Sequence, residues 1–311
     1  MQEMRMKFGE KPLAVITGGS TGIGLELGRE FARAGYDLVI GGQDEGKLAA
    51  AAAALRGEGA EVVTVAADLT RPEEVERFHR EATASGRPVA IFCANAGVGM
   101  GGGDFTETDL HSELRLIDLN VRSQVHLTKL ILPAMAARGE GRILFTASIS
   151  SMMPGPFESV YSASKAFVHS FAEALRNEWA DRGVVVTGFM PGPTDTNFFH
   201  RAGMDETPAG EGKKDDPAQV AHQAFKALMA DRHHVFTGSL KTKVQGLVTN
   251  VLPSPALARV HRGMTEPNDR RAARSGGPGA AAIAGGIALA AVGVAAAVGV
   301  GRRSRALEEA E

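Results

Sequence analysis

Near its N-terminus the chain reads LAVITGGSTGIGLELGREFARA over residues 13–34, so that an apolar run, a glycine-rich turn and an amphipathic segment follow one another directly. The apolar run is typical of a buried strand, and the spacing of apolar residues after the turn is typical of a helix. A glycine-rich turn between a strand and a helix lets the backbone approach a phosphate, and the helix N-terminus adds free N–H groups and a favourable dipole. We therefore predict a phosphate-binding strand–turn–helix unit.

Outward from this unit, short apolar runs keep alternating with helix-period segments until about residue 235, a pattern that predicts repeated βαβ units. The predicted strands cover 13–17, 37–41, 61–66, 89–93, 141–146, 184–189 and 233–236. The predicted helices cover 22–34, 45–56, 72–85, 110–137, 160–181 and 217–230. Each strand is apolar enough for burial on both faces, and βαβ crossovers are right-handed. We expect a doubly wound α/β fold with a Rossmann-type parallel sheet of six or seven strands.

Composition excludes several classes of protein. The 311 residues carry 34 basic and 36 acidic side chains, and this balance does not fit a protein that coats nucleic acid. Cys93 is the only cysteine, so neither an intrachain disulfide nor a cysteine-ligated metal centre is expected. The three histidines at 222, 233 and 234 lack carboxylates at ligand spacing, and we predict no metal site. The sparse use of cysteine favours a reducing, cytoplasmic-facing environment, and the charged residues 1–12 lack the apolar core of a secretory signal.

The C-terminal part of the chain differs in character from the rest. After a catalytic domain over 11–264, the polar and breaker-rich residues 265–279 predict a linker. Residues 280–300 then run for 21 positions without a charge, which is the length of a bilayer-spanning helix. An uncharged run of this length is unusual in a soluble linker and favours a membrane span, while the high alanine and glycine content keeps a disordered tail as the alternative. A single transmembrane helix followed by the charged tail 301–311 would anchor the protein to a membrane.

A second cluster of polar residues lies far downstream, where Ser148 precedes the sequence YSASK at 161–165. Tyr161 and Lys165 are four residues apart and share one face of the predicted helix, so we expect the ammonium to lower the pKa of the phenol toward neutrality. Such a tyrosine can donate and accept protons. Ser148 and Tyr161 can therefore supply hydrogen-bond donors and a proton to an oxygen anion that develops during a reaction.

Together, TGGSTGIG at 17–24, Asn95-Ala96-Gly97, and Ser148 placed thirteen residues before Tyr161 resemble the short-chain dehydrogenase/reductase family over about residues 11–240. The resemblance implies that Tyr161 is the general acid/base and that Ser148 hydrogen-bonds the substrate. It implies that Lys165 tunes Tyr161 and holds the nicotinamide ribose. Asn120 is similar to the family's asparagine that keeps a water in the proton relay. Homo-oligomers built on the helices at 110–137 and 160–181 are also implied.

The resemblance further implies a dinucleotide site, with Asp68 at the adenine and the segment after the sixth strand on the nicotinamide. The implied cofactor-binding residues are Gly18, Ser20, Thr21, Gly22, Ile23, Gly24, Gln43, Asp68, Asn95, Ala96, Gly97, Tyr161, Lys165, Pro191, Gly192, Thr194 and Thr196. Gly42 stands where an acid would select NAD, and Gln43 stands where an arginine would select NADP. Because no carboxylate repels a 2′-phosphate at Gly42, NADP is favoured, with NAD as the alternative.

The substrate side is predicted from apolar residues. Phe198 and Phe199 after the sixth strand, together with Phe157 between Ser148 and Tyr161, predict an apolar pocket, and residues 210–216 resemble a lid. We expect an apolar ketone, aldehyde or secondary alcohol as the small-molecule substrate. The alternatives are a nucleotide-binding scaffold or regulatory protein without catalysis, which the intact Ser148, Tyr161 and Lys165 argue against, and a sugar-nucleotide epimerase, which has a different glycine spacing.

Overall fold

In the computed structural model, residues 11–249 and 251–275 are described, and within them seven parallel strands form one sheet in the order β3-β2-β1-β4-β5-β6-β7. The strands are β1 (Leu13–Thr17), β2 (Asp37–Gly42), β3 (Val62–Ala66), β4 (Val89–Ala94), β5 (Gly141–Thr146), β6 (Val184–Pro191) and β7 (His234–Thr237). The order reverses between β1 and β4, which is the point where a doubly wound sheet opens a crevice at the carboxyl ends of its strands. The predicted fold class is confirmed.

Helices cover both faces of the sheet. They are α1 (Gly22–Arg33), α2 (Glu45–Gly57), α3 (Pro72–Ala82), α4 (Leu110–Ile117), α5 (Ser123–Arg138), α6 (Ser159–Trp179), α7 (Phe198–Arg201), α8 (Pro208–Glu211), α9 (Pro217–Met229), α10 (Leu240–Thr249), α11 (Ser254–Thr265) and α12 (Asn268–Ser275). One buried core joins the sheet to α1, α2 and α9 around Phe31, and the other joins it to α3, α5 and α6 around Phe78 and Phe145. The sheet therefore lies between two apolar layers.

Two predictions about the middle of the chain were wrong. The helix expected over 110–137 is interrupted by a π-helical turn at Asp118–Arg122, which separates α4 from α5. This wider turn holds the fully buried Asn120, whose side-chain amide bonds the backbone of Val98. Burial of every strand on both faces was also wrong, because β3 is an edge strand and leaves the Val63 side chain 54% exposed.

The segment after β7 is more structured than expected. Helices α11 and α12 occupy most of 254–275, including part of the predicted linker at 265–279. The buried carboxylate of Glu266 joins the two helices, because Arg262 and Arg274 approach it to 3.0 and 2.7 Å. The Thr265 hydroxyl, which donates to the Pro156 carbonyl at 2.7 Å, and the Asn268 N–H, which donates to the Glu206 carbonyl at 3.1 Å, hold the segment on the fold. No helix within the described ranges is both long and apolar enough to cross a bilayer. The predicted membrane span at 280–300 and the tail at 301–311 lie outside the described residues.

Candidate active site

A cavity of about 1010 Å³ opens at the carboxyl ends of the central strands. The glycine-rich turn lies at one end, and α7, α10 and α11 lie at the other. Nineteen of the predicted site residues line it. They are Gly18, Ser20, Thr21, Gly22, Ile23, Gly24, Gln43, Asn95, Ala96, Gly97, Ser148, Tyr161, Lys165, Pro191, Gly192, Thr194, Thr196, Phe198 and Phe199. Its volume lies at the upper end of the range for ligand pockets, about 300–1,000 Å³.

The glycine-rich turn forms a tight cradle that excludes side chains. A Cβ atom on Gly24 would lie 2.1 Å from the carbonyl oxygen of Gly18, and Gly18 and Gly22 have φ angles of +65° and +55°. At the start of α1, the N-cap residue Thr21 makes no side-chain hydrogen bond to the first-turn amides. Free N–H groups at a helix N-terminus, approached through a glycine turn, match a phosphate group. The cradle therefore fits the pyrophosphate of a dinucleotide.

Asn95 holds this cradle in place from the end of β4. Its side-chain nitrogen donates to the carbonyl oxygens of Thr17 at 3.0 Å and of Gly18 at 3.3 Å. Its side-chain oxygen accepts from the Thr146 hydroxyl at 3.0 Å. The Thr17 hydroxyl in turn accepts from the backbone N–H groups of Asn95 and Ala96, both at 3.0 Å. The side chains of Thr17 and Thr146 are thus part of the site, and the sequence motifs alone did not assign them a role.

Ser148, Tyr161 and Lys165 meet behind the cradle, and each is at least nine-tenths buried. The Lys165 ammonium donates to the carbonyl oxygen of Thr146 at 2.9 Å and lies 5.9 Å from the centre of the Tyr161 ring. The Ser148 side chain hydrogen-bonds Tyr161 and accepts from the backbone N–H of Ser150 at 3.1 Å. Two hydroxyl groups and one ammonium are therefore gathered on one wall of the cavity.

Burial controls the protonation of this group. It raises the pKa of the Tyr161 hydroxyl above its usual range, the negative charge of Glu158 raises it further, and the hydrogen bond with Ser148 opposes both. Burial also lowers the pKa of the Lys165 ammonium to about 8. The predicted lowering of the Tyr161 pKa by Lys165 was therefore wrong for this structure, because removal from water favours the neutral phenol.

Three predicted site residues do not line the cavity. Asn120 lies behind it, where the side-chain oxygen accepts from the Val98 N–H at 2.9 Å and the nitrogen donates to the Val98 carbonyl at 2.9 Å and to the Ser164 hydroxyl at 3.1 Å. The Phe157 ring packs instead against the Arg262 guanidinium, 5.3 Å away, because its backbone takes a left-handed φ of +63°. Asp68 is the third.

Asp68 is held by neighbouring side chains beside the cavity. Its carboxylate accepts from the Thr70 hydroxyl at 2.7 Å and from the Gln43 amide at 2.8 Å. Partial burial opposes ionisation, but the hydrogen bonds from Thr70 and the charge of Arg115 hold the pKa of this carboxyl below its usual value. The Gln43 amide, expected to contact a cofactor phosphate, thus has a partner within the protein.

The end of the cavity around Phe198 is built largely from residues that carried no motif. The Phe198 ring lies 5.3 Å from the Tyr161 ring, centre to centre. Facing residues come from α10 and α11, namely Gln245, His261, Met264 and Thr265. The one available signal was the four-residue spacing of Leu257, His261 and Thr265, which are the buried positions of α11. Within the described residues, no group of three or more His, Cys, Asp or Glu side chains is arranged to hold a metal ion.

The predicted lid is tied down in this structure. Asp215 pairs with the segment after β6, because its N–H donates to the Pro193 carbonyl at 2.7 Å and its carbonyl accepts from the Asp195 N–H at 2.8 Å. Its carboxylate also accepts from the Thr242 hydroxyl at 2.7 Å. These contacts fix Asp215 to the segment after β6 and to α10, and the described residues that line the cavity include none from 210–216.

Comparison with known proteins gives the site its family. The family model described as short chain dehydrogenase matches residues 12–207. The 1-deoxy-11-beta-hydroxypentalenate dehydrogenase of Streptomyces exfoliatus is 34% identical over 229 residues, which cover 73% of this chain and 82% of that protein. The short-chain dehydrogenase from Sphingobium yanoikuyae, solved in complex with NADPH, is 30% identical with a TM-score of 0.68 and covers 72% of this chain and 87% of its own.

A second solved structure shows the same fold with the other cofactor. The short-chain dehydrogenase/reductase from Burkholderia phymatum, in complex with NAD, is 26% identical with a TM-score of 0.67, over 74% of this chain and 90% of its own. Because the family model covers more than half of the 311 residues, the assignment does not depend on any one relative. The chain belongs to the short-chain dehydrogenase/reductase family of NAD(P)-dependent oxidoreductases.

Proposed function

We propose that this protein interconverts an apolar ketone or aldehyde and the corresponding alcohol, with NADP(H) preferred and Tyr161 as the acid/base. The observation that carries the proposal is the position of the Ser148 and Tyr161 hydroxyls in the same cavity as the glycine cradle. The cradle and the residues Asn95, Pro191 and Thr196 would hold the dinucleotide. When bound, the nicotinamide supplies or accepts the hydride.

The chain's own residues then manage the proton and the developing charge. In the reductive direction, Ser148 donates a hydrogen bond to the carbonyl oxygen and Tyr161 donates its proton to the forming alkoxide. Burial favours the protonated tyrosine, which suits proton donation. Lys165 keeps an ammonium beside the phenol and is positioned by the Thr146 carbonyl. Asn120 fixes the loop at Val98, which forms one side of the cavity.

Support for NADP comes from the end of β2. Gly42 brings no carboxylate, and a Cβ atom there would lie 3.1 Å from the Ser20 hydroxyl. Ser20 and Lys47 line this part of the cavity and offer a hydroxyl and a cation to a 2′-phosphate. Gln43 contributes less than the sequence suggested, because its amide bonds Asp68. The NADPH complex of the Sphingobium relative is consistent with this preference, whereas the Burkholderia relative was solved with NAD.

Support for an apolar substrate comes from the residues around Tyr161. Phe198, Phe199, Met204 and Met264 all line the cavity at this end. Apolar side chains bury a hydrocarbon body, while the two hydroxyls fix its one polar group. The Streptomyces relative is by name a dehydrogenase of a hydroxypentalenate. We therefore place this chain among enzymes whose substrate is mainly hydrocarbon.

The test combines binding and turnover on the full chain. Calorimetric titration with NADPH and with NADH measures the cofactor preference, and a panel of apolar ketones is then assayed by NADPH oxidation. Tyr161→Phe should keep NADPH affinity within about twofold and lower kcat by at least about 10²-fold, the usual effect of losing a general acid. Unchanged turnover in that variant would refute the role of Tyr161. Cofactor binding with no turnover across the panel would favour the scaffold interpretation.

The oligomeric state is a further part of the proposal. Helices α4 and α6 expose apolar side chains side by side, including Leu114 at 49%, Ile117 at 39% and Phe167 at 41%. A second copy of the chain on this surface would remove them from water, with a gain of roughly 25 cal/mol per Å² of apolar area. The family resemblance placed the oligomer contacts on these same helices.

A further inference from the structure

A buried acid–base pair lies next to the proposed acid/base tyrosine. Glu158 Oε1 is 2.6 Å from His261 Nε2, and the two side chains are 4% and 1% exposed. We propose that Glu158, held by His261 and Ser162, is a positioning residue that keeps Tyr161 protonated and thereby favours carbonyl reduction over alcohol oxidation. The proposal rests on the proposed role of Tyr161. His261 lies beyond residues 12–207, the part of the chain that the family model covers.

Local structure fixes Glu158 at the start of α6, where it lines the same cavity as Tyr161. Glu158 is the N-cap residue of α6, yet its side chain makes no capping bond to the helix. Instead it accepts a hydrogen bond from the hydroxyl of Ser162, at 2.9 Å, which directly follows Tyr161 in the chain. Gly155 makes room for this contact, because a Cβ atom at that position would lie 1.9 Å from Ser162 Oγ. The carboxylate is therefore held beside the first turn of α6.

Helix α11 supplies the other half of the pair and is anchored independently of it. The Thr265 hydroxyl donates to the carbonyl oxygen of Pro156 at 2.7 Å, and Leu257 packs against Ile149 and Met153. Within the described residues, His261 Nδ1 has no hydrogen-bond partner, so Glu158 is the polar group that this imidazole engages. Replacing the imidazole therefore leaves the main contacts of α11 in place.

The charges around Tyr161 have opposite signs on its two sides. Lys165 on α6 lies 5.9 Å from the ring centre, and the Ser148 hydroxyl hydrogen-bonds the phenol from the loop after β5. Glu158 brings negative charge from the start of α6, and His261 faces that carboxylate from α11. The nearby Arg262 points outward, with its side chain 44% exposed. Glu158 is thus the group that opposes ionisation of the phenol, in addition to burial.

The direction of catalysis depends on this protonation. Reduction needs the phenol to give its proton to the alkoxide, whereas oxidation needs the phenolate to take a proton from the alcohol. A negative charge near the phenol extends the pH range in which it stays protonated. The pair therefore raises the alkaline limit, which is the pH above which kcat/KM for reduction falls. It also lowers the rate of alcohol oxidation near neutral pH, because less phenolate is present.

The first experiment compares pH profiles of kcat/KM for reduction in the full-length wild type, Glu158→Gln and the matched control Glu173→Gln. Glu173 lies on the same helix and also pairs with a histidine, His234 at 2.9 Å, but these two side chains are 34% and 42% exposed. Glu158→Gln should move the alkaline limit to lower pH by about one unit, a shift typical of one nearby charge. Glu173→Gln should not move it. An unmoved limit in Glu158→Gln, or a change in KM alone, overturns the proposal.

Two further variants keep the test decisive. His261→Gln retains an N–H donor and the Glu158 charge, so its alkaline limit must stay at or above that of the wild type. The double variant Glu158→Gln/His261→Gln removes the Glu158 charge and leaves two amides that can hydrogen-bond each other. Its alkaline limit must move to lower pH, as in Glu158→Gln. If Glu158→Gln alone does not fold, the double variant decides. A limit at the wild-type pH in the double variant contradicts the proposal.

A measurement that needs no turnover separates this inference from the proposed function. The chain has two tyrosines, so Tyr36→Phe leaves Tyr161 alone, and biosynthetic 3-fluorotyrosine gives one ¹⁹F signal whose shift reports ionisation. Adding Glu158→Gln should lower the midpoint pH of that titration. If the midpoint falls while Tyr161→Phe keeps full activity, the electrostatic effect stands and the catalytic role fails. An unchanged midpoint refutes the effect itself.

Discussion

At neutral pH, Lys165→Met should raise the free energy of unfolding of the cofactor-free protein and lower its turnover. The wild-type ammonium is buried, and its pKa falls from 10.5 to about 8. Between these two values the unfolded chain binds more protons than the folded one, so stability from this group rises with pH in that window. Below pH 8 the folded protein bears the full free-energy cost of keeping the buried Lys165 ammonium charged. From pH 7 to 9.5 the free energy of unfolding of the wild type should therefore rise by about 2 kcal/mol relative to that of Lys165→Met.

Urea unfolding of both proteins between pH 7 and 9.5 measures this difference. The variant also loses the hydrogen bond to the Thr146 carbonyl, worth about 1 kcal/mol, but that loss does not depend on pH. The exposed Lys129 on α5 provides the control, because the free energy of unfolding of Lys129→Met should change with pH as that of the wild type does. If the difference between wild type and Lys165→Met is the same at pH 7 and 9.5, Lys165 is not a destabilised buried cation and the reasoning fails.

Four other predictions follow from the geometry. Gly24→Ala should weaken NADPH binding by at least about 10²-fold in calorimetry, because its Cβ atom would displace the Gly18 carbonyl; retained affinity would place the phosphates elsewhere. Gly42→Asp should shift the ratio of NADPH to NADH kcat/KM toward NADH by about 30-fold, from roughly 2 kcal/mol of repulsion with a 2′-phosphate, and an unchanged ratio would argue against NADP selection at β2. Phe167→Asp should dissociate the oligomer in sedimentation velocity, since it buries a charge against the neighbouring Ile117; an unaltered sedimentation coefficient would move the interface to another surface. A chain ending at residue 276 should leave the membrane fraction if residues 280–300 span a bilayer, and equal solubility of the two forms would remove that prediction.

The sheet was predictable because its strands combine strong apolar runs with breakers at both ends. All five residues of β1 are buried, and the turn that follows has glycines where no side chain fits. All seven strands begin and end within two residues of the predicted bounds for this reason, and β7 is displaced by one residue at each end. Local pattern and tertiary environment agree in this part of the chain.

The parts that could not be predicted depend on long-range contacts. The π-helical turn at Asp118–Arg122 has no local signature, because it serves a hydrogen bond between Asn120 and Val98, 22 residues away. Phe157 lies in an ordinary apolar position of the sequence, but a left-handed φ turns its ring out of the cavity and toward Arg262. Placement of α11 follows from contacts across more than 100 residues, such as that of Thr265 with Pro156.

The registers of three neighbouring strands explain why the motifs lie where they do. Thr17, Asn95 and Thr146 stand at or just beyond the carboxyl ends of β1, β4 and β5, which are adjacent in the sheet. A chain of hydrogen bonds crosses these ends. The Lys165 ammonium donates to the Thr146 carbonyl, the Thr146 hydroxyl donates to the Asn95 side-chain oxygen, and the Asn95 side-chain nitrogen donates to the Gly18 carbonyl. The phosphate cradle and the ammonium are therefore positioned by the same strand ends. A shift of β4 by one residue would turn Asn95 to the opposite face and break its side-chain bonds to Gly18 and Thr146, which link the cradle to the strand end that holds Lys165, because side chains alternate along a strand.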